Sequence, residues 1–275
     1  MPEKEAARSF TPQVALTIAG SDSGGGAGIQ ADLRTFAFHQ VHGTSALTCI
    51  TAQNTCGVTR VDALPPAAVV AQIDAVVQDI EVQSAKLGML LNADIMQAVA
   101  ATMARSPVPN WVVDPVMVSR TGAQLIDDAA IATLQAELLP LATVLTPNRY
   151  EAQILSGQEI NTLTDMENAA RRIHTLGAQS VLVKGGGMPN ELRGVDVWFD
   201  GKQLLTLTTE TIETTDTHGT GCTLSAAIAA NLALGKDKLT AVRDGKAYVT
   251  QALKHSLRIG KGQGPVGHFY PLLAD

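Results

Sequence analysis

The chain has 275 residues, of which 45% are apolar, enough for a substantial hydrophobic core, and this argues against a disordered protein. Its net charge of −6 and the lack of an arginine-rich run argue against nucleic acid as a partner. No apolar run approaches membrane-spanning length, and three cysteines cannot build a disulfide framework or a four-ligand zinc site. We expect a cytoplasmic protein without a membrane partner, beginning with a flexible tail at residues 1–12.

Five apolar, β-branched runs recur along the chain, with helix-like stretches between them. The predicted strands cover residues 14–19, 46–51, 111–113, 143–146 and 180–183. Because these runs are almost continuously apolar, we expect strands buried on both faces, as in a mainly parallel sheet covered by helices. The predicted fold is an α/β three-layer sandwich that forms one domain, residues 13–275.

Spaced apolar positions and good helix formers mark the covering helices. They are predicted at residues 29–39, 66–82, 93–105, 127–138 and 165–176, after Cys222, and at 239–257. Beyond residue 184, apolar runs at 195–199 and 203–208 flank Asp200-Gly201, a dipeptide that favours a tight hairpin turn. This predicts a small antiparallel edge.

A glycine-rich segment, residues 21–28 (SDSGGGAG), connects the first predicted strand to the first predicted helix. It matches neither the dinucleotide fingerprint nor the P-loop, because the glycine spacing differs and the Lys-Ser/Thr pair is missing. A turn that only needs positive φ is the plain alternative, but four glycines within five residues exceed that need. Since ligands bind beyond the carboxyl ends of parallel strands, we predict that this loop covers a substrate.

A second glycine-containing run, residues 218–222 (HGTGC), opens an alanine-rich helix. Gly219, Thr220 and Gly221 let backbone N–H groups converge on a negative group, which predicts an anion hole for a transferring phosphoryl group. At a helix start we expect the pKa of the Cys222 thiol to fall, so that it accepts a proton from an attacking alcohol. A small buried structural cysteine is the alternative. We assign His218 a structural role.

Four polar side chains, Asp114, Asn148, Glu151 and Lys184, follow buried strands, where an unpaired charge would be costly. A local salt bridge or cap would explain each one singly, but four at one sheet edge favour a site for a charged ligand. Carboxylates, a lysine and an anion hole are the parts that phosphoryl transfer with Mg²⁺ requires. The residues therefore predict a kinase.

Eight motifs extend over nearly the whole chain: AGSDSGGGAGIQADL (19–33), TAQNT (51–55), KLGML (86–90), DPVMV (114–118), TPN with Glu151 (146–151), VKGG (183–186), THGTGCTLSAAIAA (217–230) and GKGQGP (260–265). Together they resemble the hydroxymethylpyrimidine/phosphomethylpyrimidine kinases of thiamin biosynthesis, which belong to the ribokinase-like superfamily. The resemblance implies two successive ATP-dependent phosphorylations of the hydroxymethylpyrimidine, with Mg²⁺, by a homodimer.

The same resemblance implies a role for individual residues. The catalytic group that it implies consists of Cys222, Gly219, Thr220 and Gly221. The substrate-binding residues are Gln53, whose amide suits an aminopyrimidine edge, and Asp32, Val116 and Gly20. The residues implied for ATP are Lys184, Thr217, Asn148 and Lys246, and those for the metal are Glu151 and Asp114.

Two other functions remain open from the sequence. A pyridoxal kinase, or a kinase with dual specificity, is the nearer alternative, because related chains phosphorylate a similar hydroxymethyl heterocycle. Gln53 favours the aminopyrimidine. A non-catalytic pyrimidine-binding regulator is the remote alternative, which the presence of Lys184, Glu151 and Cys222 disfavours.

Overall fold

The computed structural model describes residues 11–117 and 125–273. In this part of the chain nine strands form one sheet in the order β3-β2-β1-β4-β5-β6-β7-β8-β9. The strands are β1 Val14–Asp22, β2 His42–Asn54, β3 Gly57–Ala63, β4 Ser84–Leu87, β5 Trp111–Val113, β6 Val144–Leu145, β7 Val181–Val183, β8 Val195–Phe199 and β9 Leu204–Thr208. The pairs from β2 to β7 are parallel, which confirms the predicted mainly parallel sheet.

Both edges of the sheet are antiparallel. The predicted hairpin is confirmed, because β8 pairs antiparallel with β7 and with β9. At the opposite edge β3 pairs antiparallel with β2, and this second antiparallel edge was not predicted. The sheet is therefore mixed, with a parallel centre.

Helices cover both faces of the sheet. In the described residues they are α1 Gly28–Phe38, α2 Pro66–Val77, α3 Ala93–Arg105, α4 Asp128–Thr133, α5 Arg149–Ser156, α6 Leu163–His174, α7 Thr220–Ala233 and α8 Lys238–Lys254. The bounds of α3 agree with the prediction. The helix predicted at 127–138 is α4 followed by a π-helical turn, Leu134–Leu138, and α5 was not predicted.

Two separate apolar clusters show that the strands are buried on both faces. Leu16 and Val113 pack in the cluster that also holds side chains of α2, α3 and α6, whereas Ala15 and Val112 pack with side chains of α7 and α8. Successive residues of a strand point to opposite faces, so one strand serves both clusters. The predicted three-layer sandwich is confirmed.

The alanine-rich α7 lies in a crowded position between the sheet, α1 and α8. Its residues from Thr223 to Ala233 are all buried. A Cβ at Gly245 of α8 would lie 3.0 Å from Ile228 Cγ1, so a small residue is needed for the two helices to approach this closely. This packing fixes the start of α7 against the sheet edge.

Some predictions fall outside the described part of the chain. The tail predicted at residues 1–12 lies outside it except for its last two residues, as does Val118 at the end of the DPVMV motif. The single-domain organisation over residues 13–275 stays a prediction. Among the described helices, none is both long and apolar enough to cross a membrane.

Candidate active site

The candidate site lies where the parallel strands end, beside the start of α7. β1 ends in Asp22, Asp114 follows β5, and Lys184 follows β7. Parallel strands bring their carboxyl ends to one edge, where ligands bind in open α/β sheets. The glycine-rich segment 21–28 leaves the sheet at this edge, since it connects β1 with α1.

The carboxylate of Asp22 organises the glycine-rich loop. It accepts hydrogen bonds from the backbone N–H groups of Gly24 at 2.8 Å, Gly26 at 3.0 Å and Ala27 at 2.8 Å, and His218 Nε2 lies 2.9 Å away. Burial opposes ionisation, but these hydrogen bonds outweigh it and hold the pKa of Asp22 below its ordinary value. Asp22 was not among the predicted site residues, although an Asp that precedes glycines is typical of a turn in which its side chain binds nearby N–H groups.

The predicted anion hole lies at the first turn of α7. The helix begins at Thr220 after Gly219, whose φ of +82° favours glycine. Gly219 has no side chain to cap this turn, which leaves the positive end of the helix dipole at the start of α7. The carbonyl of Gly26 occupies the space that a Cβ at Gly219 would need, so the two glycine-containing loops are in direct contact.

An ion pair between Lys184 and Asp114 lies against this turn. Lys184 Nζ lies 2.9 Å from Asp114 Oδ1, and a Cβ at Gly221 would lie 3.5 Å from Lys184 Nζ and 3.6 Å from Asp114 Oδ2. Burial disfavours both charges, but the attraction between them outweighs it. The pKa of Asp114 is therefore lowered and that of Lys184 raised. A lysine held charged beside a helix start suits a phosphate group.

Asn148 and Glu151 form the cap of α5. Asn148 Oδ1 accepts from the N–H of Glu151 at 3.0 Å, and Glu151 Oε2 accepts from the N–H of Asn148 at 2.8 Å. Burial raises the pKa of Glu151 to about 8, although the charge of Lys184 opposes this. The cap explains why the two residues meet, and their contacts to phosphates and metal stay predictions.

Asp114 and Glu151 are the two carboxylates predicted for a Mg²⁺ ion, and this role stays a prediction. In the described ranges no group of three or more His, Cys, Asp and Glu side chains is arranged to hold a metal. Mg²⁺ in kinases uses one or two carboxylates together with substrate phosphates and water, so two carboxylates are sufficient. The raised pKa of Glu151 fits this use, because an arriving cation would favour the ionised carboxylate.

Lys246 is engaged by protein groups. Its Nζ donates to Asp196 Oδ2 and to the carbonyl of Gly194, both at 2.7 Å. The other oxygen of Asp196 accepts from the N–H of Gly185 at 2.8 Å. The predicted contact between Lys246 and nucleotide phosphates stays a prediction, and in this structure Lys246 supports the glycine loop after β7 through Asp196.

A buried ion pair joins β4 to α1. Lys86 Nζ lies 2.8 Å from Asp32 Oδ2 and 3.1 Å from Oδ1, and Thr17 Oγ1 donates to Oδ2 at 2.6 Å. Both oxygens of Asp32 are thus bound by protein groups, and its contact with a pyrimidine stays a prediction. Lys86 was not among the predicted site residues, although a lone lysine in a buried strand indicates a partner of opposite charge.

Cys222 lies half-buried in the first turn of α7, with its sulfur accepting from the N–H of Gly28. Burial is the largest influence and raises the pKa of the thiol, while the nearby charge of Lys86 opposes it. The predicted fall in the pKa of Cys222 is therefore wrong, because desolvation of the thiolate outweighs the helix start. The thiol form predominates at neutral pH.

Gln53 lies at an irregularity of β2, where the register with β3 shifts between Ala52 and Gln53. Such bulges re-aim side chains. The N–H of Gln53 donates to Ser23 Oγ at 2.8 Å, and Ser23 Oγ lies 2.7 Å from the Gln53 carbonyl, so Gln53 is held beside the glycine-rich loop. Its side-chain oxygen accepts from Thr51 Oγ1 at 3.2 Å.

Three predicted site residues remain to be described: Gly20, Val116 and Thr217. A Cβ at Gly20 would lie 2.7 Å from Cys49 Sγ, so only glycine fits there. Val116 donates its N–H to the carbonyl of Asp114 at 2.8 Å, and both residues line a small cavity. Thr217 accepts two hydrogen bonds at its carbonyl from the first residue of α7, which fixes the turn into that helix.

A C-terminal segment, residues 260–266, packs against two of these elements. Gly262 donates its N–H to Thr55 Oγ1 at 3.1 Å, just beyond the end of β2. The N–H of His218 donates to the carbonyl of Gly264 at 3.1 Å. The segment therefore joins the region around Gln53 to the start of α7.

Comparison with known proteins gives consistent likenesses. A model of the family described as phosphomethylpyrimidine kinase matches residues 22–267. The chain is 66% identical over 259 residues to a hydroxymethylpyrimidine/phosphomethylpyrimidine kinase of Synechococcus elongatus, covering 94% of this chain and 98% of that protein.

Two solved structures are also similar. One is an ADP complex of Bacillus subtilis pyridoxal kinase, with a TM-score of 0.90 and 41% identity over 96% of this chain and 100% of that chain. The other is a phosphomethylpyrimidine kinase of Clostridium difficile 630, with a TM-score of 0.79 and 39% identity over 87% of this chain and 99% of that chain. These likenesses confirm the predicted ribokinase-like fold class.

Proposed function

Since the chain belongs to the phosphomethylpyrimidine kinase family, we propose that it transfers the γ-phosphoryl group of ATP to 4-amino-5-hydroxymethyl-2-methylpyrimidine. A second transfer to the monophosphate would give the diphosphate for thiamin biosynthesis. The proposal rests on one observation: the glycine-rich loop contacts both the residue predicted to bind the acceptor and the predicted anion hole. Ser23 of this loop binds Gln53, and Gly26 touches Gly219 at the anion hole.

In this proposal Gln53 recognises the acceptor. A primary amide offers donors and an acceptor in one plane, which complements an amino group beside a ring nitrogen. The bulge in β2 and the two hydrogen bonds between Ser23 Oγ and the Gln53 backbone hold this residue beside the loop. Asp32, Val116 and Gly20 would complete the pocket, with Asp32 acting through its ion pair with Lys86.

The transfer step joins the acceptor hydroxyl to the γ-phosphorus. The hydroxyl oxygen forms the new P–O bond, the bond to the leaving ADP oxygen breaks, and the hydroxyl proton passes to the ionised sulfur of Cys222. The N–H groups of Gly219, Gly221 and Cys222 and the ammonium group of Lys184 would stabilise the charge on the transferring group, and Thr220 would hold the turn through its bonds to Thr217. A Mg²⁺ ion bound by Glu151 and Asp114 would neutralise phosphate charge.

The nucleotide would lie beyond β6 and β7. Lys184, Thr217 and Asn148 would contact it, and Lys246 would shape the neighbouring glycine loop through Asp196. The likeness to an ADP complex supports ATP as the donor. The family resemblance supports a cytoplasmic homodimer and a single domain over residues 13–275.

Pyridoxal phosphorylation is the second candidate, because the similar Bacillus subtilis structure is described as a pyridoxal kinase. Initial rates with ATP, Mg²⁺ and each acceptor decide between them, with mass analysis of the products. We expect a higher kcat/KM for the hydroxymethylpyrimidine, with mono- and diphosphate products. A higher kcat/KM for pyridoxal would reverse the assignment, and no ATP consumption with either acceptor would support a non-catalytic binding protein.

A further inference from the structure

His218 stands between two side chains of the acceptor half of the site. Its Nε2 lies 2.9 Å from Asp22 Oδ2 and 3.4 Å from Gln53 Nε2. The side chain of Asp22 is only 3% exposed and that of His218 20%, so little water competes for this contact. An ionised carboxylate can only accept hydrogen bonds, so His218 Nε2 must carry the hydrogen that joins the pair.

This hydrogen determines what the amide of Gln53 can do. A ring nitrogen that donates to Asp22 cannot also accept from the amide nitrogen of Gln53. With the opposite tautomer, His218 Nε2 would be an acceptor and would bind the Gln53 amide. Asp22 therefore leaves the N–H groups of Gln53 available to a ligand.

His218 also ties together the two loops that meet above the site. Asp22, its partner, holds the N–H groups of Gly24, Gly26 and Ala27, and the imidazole occupies the space where a side chain at Gly26 would lie. The next residue, Gly219, begins the turn into α7. Movement of His218 would therefore displace the glycine-rich loop from the anion hole.

We propose that His218 is a positioning residue for recognition of the acceptor. Held by Asp22, it fixes the glycine-rich loop and keeps the Gln53 amide free for the aminopyrimidine edge. The recognition part rests on the proposed function, in which Gln53 binds that edge. Neither histidine nor aspartate needs to touch the transferred phosphoryl group.

The kinetic test uses two amides of different length. The amide nitrogen of His218→Gln reaches the position of Nε2, whereas that of His218→Asn is too short to reach Asp22. We expect His218→Asn to raise the KM for the hydroxymethylpyrimidine about tenfold while the KM for ATP changes less than about twofold. His218→Gln should recover the acceptor KM to within about threefold of the unaltered protein. An equal rise in both KM values, or no recovery in His218→Gln, would overturn the recognition role.

A second measurement needs no substrate. Amide hydrogen exchange of the peptide spanning residues 22–28 should be faster in His218→Asn than in His218→Gln or the unaltered protein, while α3 is unchanged. Equal exchange in all three proteins would overturn the loop-holding role whatever the kinetics. If the unaltered protein phosphorylates no hydroxymethylpyrimidine, the proposed function fails, and the recognition role falls with it. The exchange result still decides the loop-holding role.

Discussion

Lys86 and Asp32 form an ion pair in which neither side chain has any solvent exposure. Thr17 binds the same carboxylate, so the pair links β1, β4 and α1 below the glycine-rich loop. Burial disfavours the charge of Lys86, but the neighbouring carboxylates outweigh it and raise its pKa. This favours the charged form of Lys86 in the core.

Removing one charge of this pair should destabilise the protein strongly. We expect Lys86→Met to lower the free energy of unfolding by about 3–5 kcal/mol, because it leaves Asp32 buried without its counter-ion. Urea denaturation followed by circular dichroism measures this. The control Lys202→Met, at an exposed position, should change it by less than about 0.5 kcal/mol. A loss in Lys86→Met no greater than in the control would contradict this account.

Glu151 should make stability depend on pH. Because its pKa in the folded protein is raised to about 8, the folded state binds a proton that the unfolded state has already lost between about pH 4.5 and 8. This contribution therefore falls as pH rises. Without Mg²⁺, Glu151→Gln keeps the cap of α5 and should gain about 1–3 kcal/mol relative to the unaltered protein between pH 5 and pH 8. Parallel pH profiles of the two proteins would show that Glu151 titrates normally.

The raised pKa of Cys222 predicts the pH dependence of the reaction. If its sulfur accepts the proton, only a small thiolate fraction is active at pH 7, and kcat should rise about tenfold per pH unit until the thiol titrates. Cys222→Ala should lose this limb and lower kcat at pH 8 by about 100-fold. Cys56→Ala, at an exposed thiol, is the matched control. A Cys222→Ala enzyme with unaltered kcat would leave only the backbone N–H of residue 222 in the mechanism.

Gln53 should contribute to acceptor affinity. We expect Gln53→Leu to raise the Kd for the hydroxymethylpyrimidine about tenfold or more, because polar ring atoms would lose their partner on binding. Isothermal titration calorimetry without nucleotide measures this directly. Gln78→Leu, at the exposed end of α2, should bind normally. An unaltered Kd in Gln53→Leu would assign recognition to another side chain.

Lys246 should contribute to binding of the nucleotide but not to binding of the acceptor. Lys246→Met leaves Asp196 without its cation, and Asp196 holds the N–H of Gly185 in the loop after β7. We expect the KM for ATP to rise about tenfold, with little change in the KM for the acceptor. Lys254→Met, which breaks an exposed pair with Glu210, is the control. Equal effects of both substitutions on the KM for ATP would remove Lys246 from nucleotide binding.

Local signals made much of the fold predictable. Residues 93–105 form a helix with the predicted bounds, capped by Asn92 and ending in Arg105. The hairpin was predictable from the Asp200-Gly201 dipeptide. Gly201 adopts a φ of +85°, a backbone conformation that favours glycine.

The missed elements depend on distant partners. β3 is exposed along its whole length, so no apolar pattern marks it. β4 contains Lys86, whose charge is tolerated only because Asp32 meets it from 54 positions away. The raised pKa of Cys222 likewise comes from surrounding protein that its own helix does not reveal.

The bonds from the C-terminal segment to Thr55 and His218 imply that the site is completed late in translation. β1 and β2, which carry Gly20 and Gln53, are translated early, whereas Gly262, which binds Thr55, comes 207 positions after that residue. A nascent chain therefore cannot assemble the pocket until nearly all of it has left the ribosome. A product that terminates before residue 260 would lack both attachments, so premature termination should yield no partially competent catalyst.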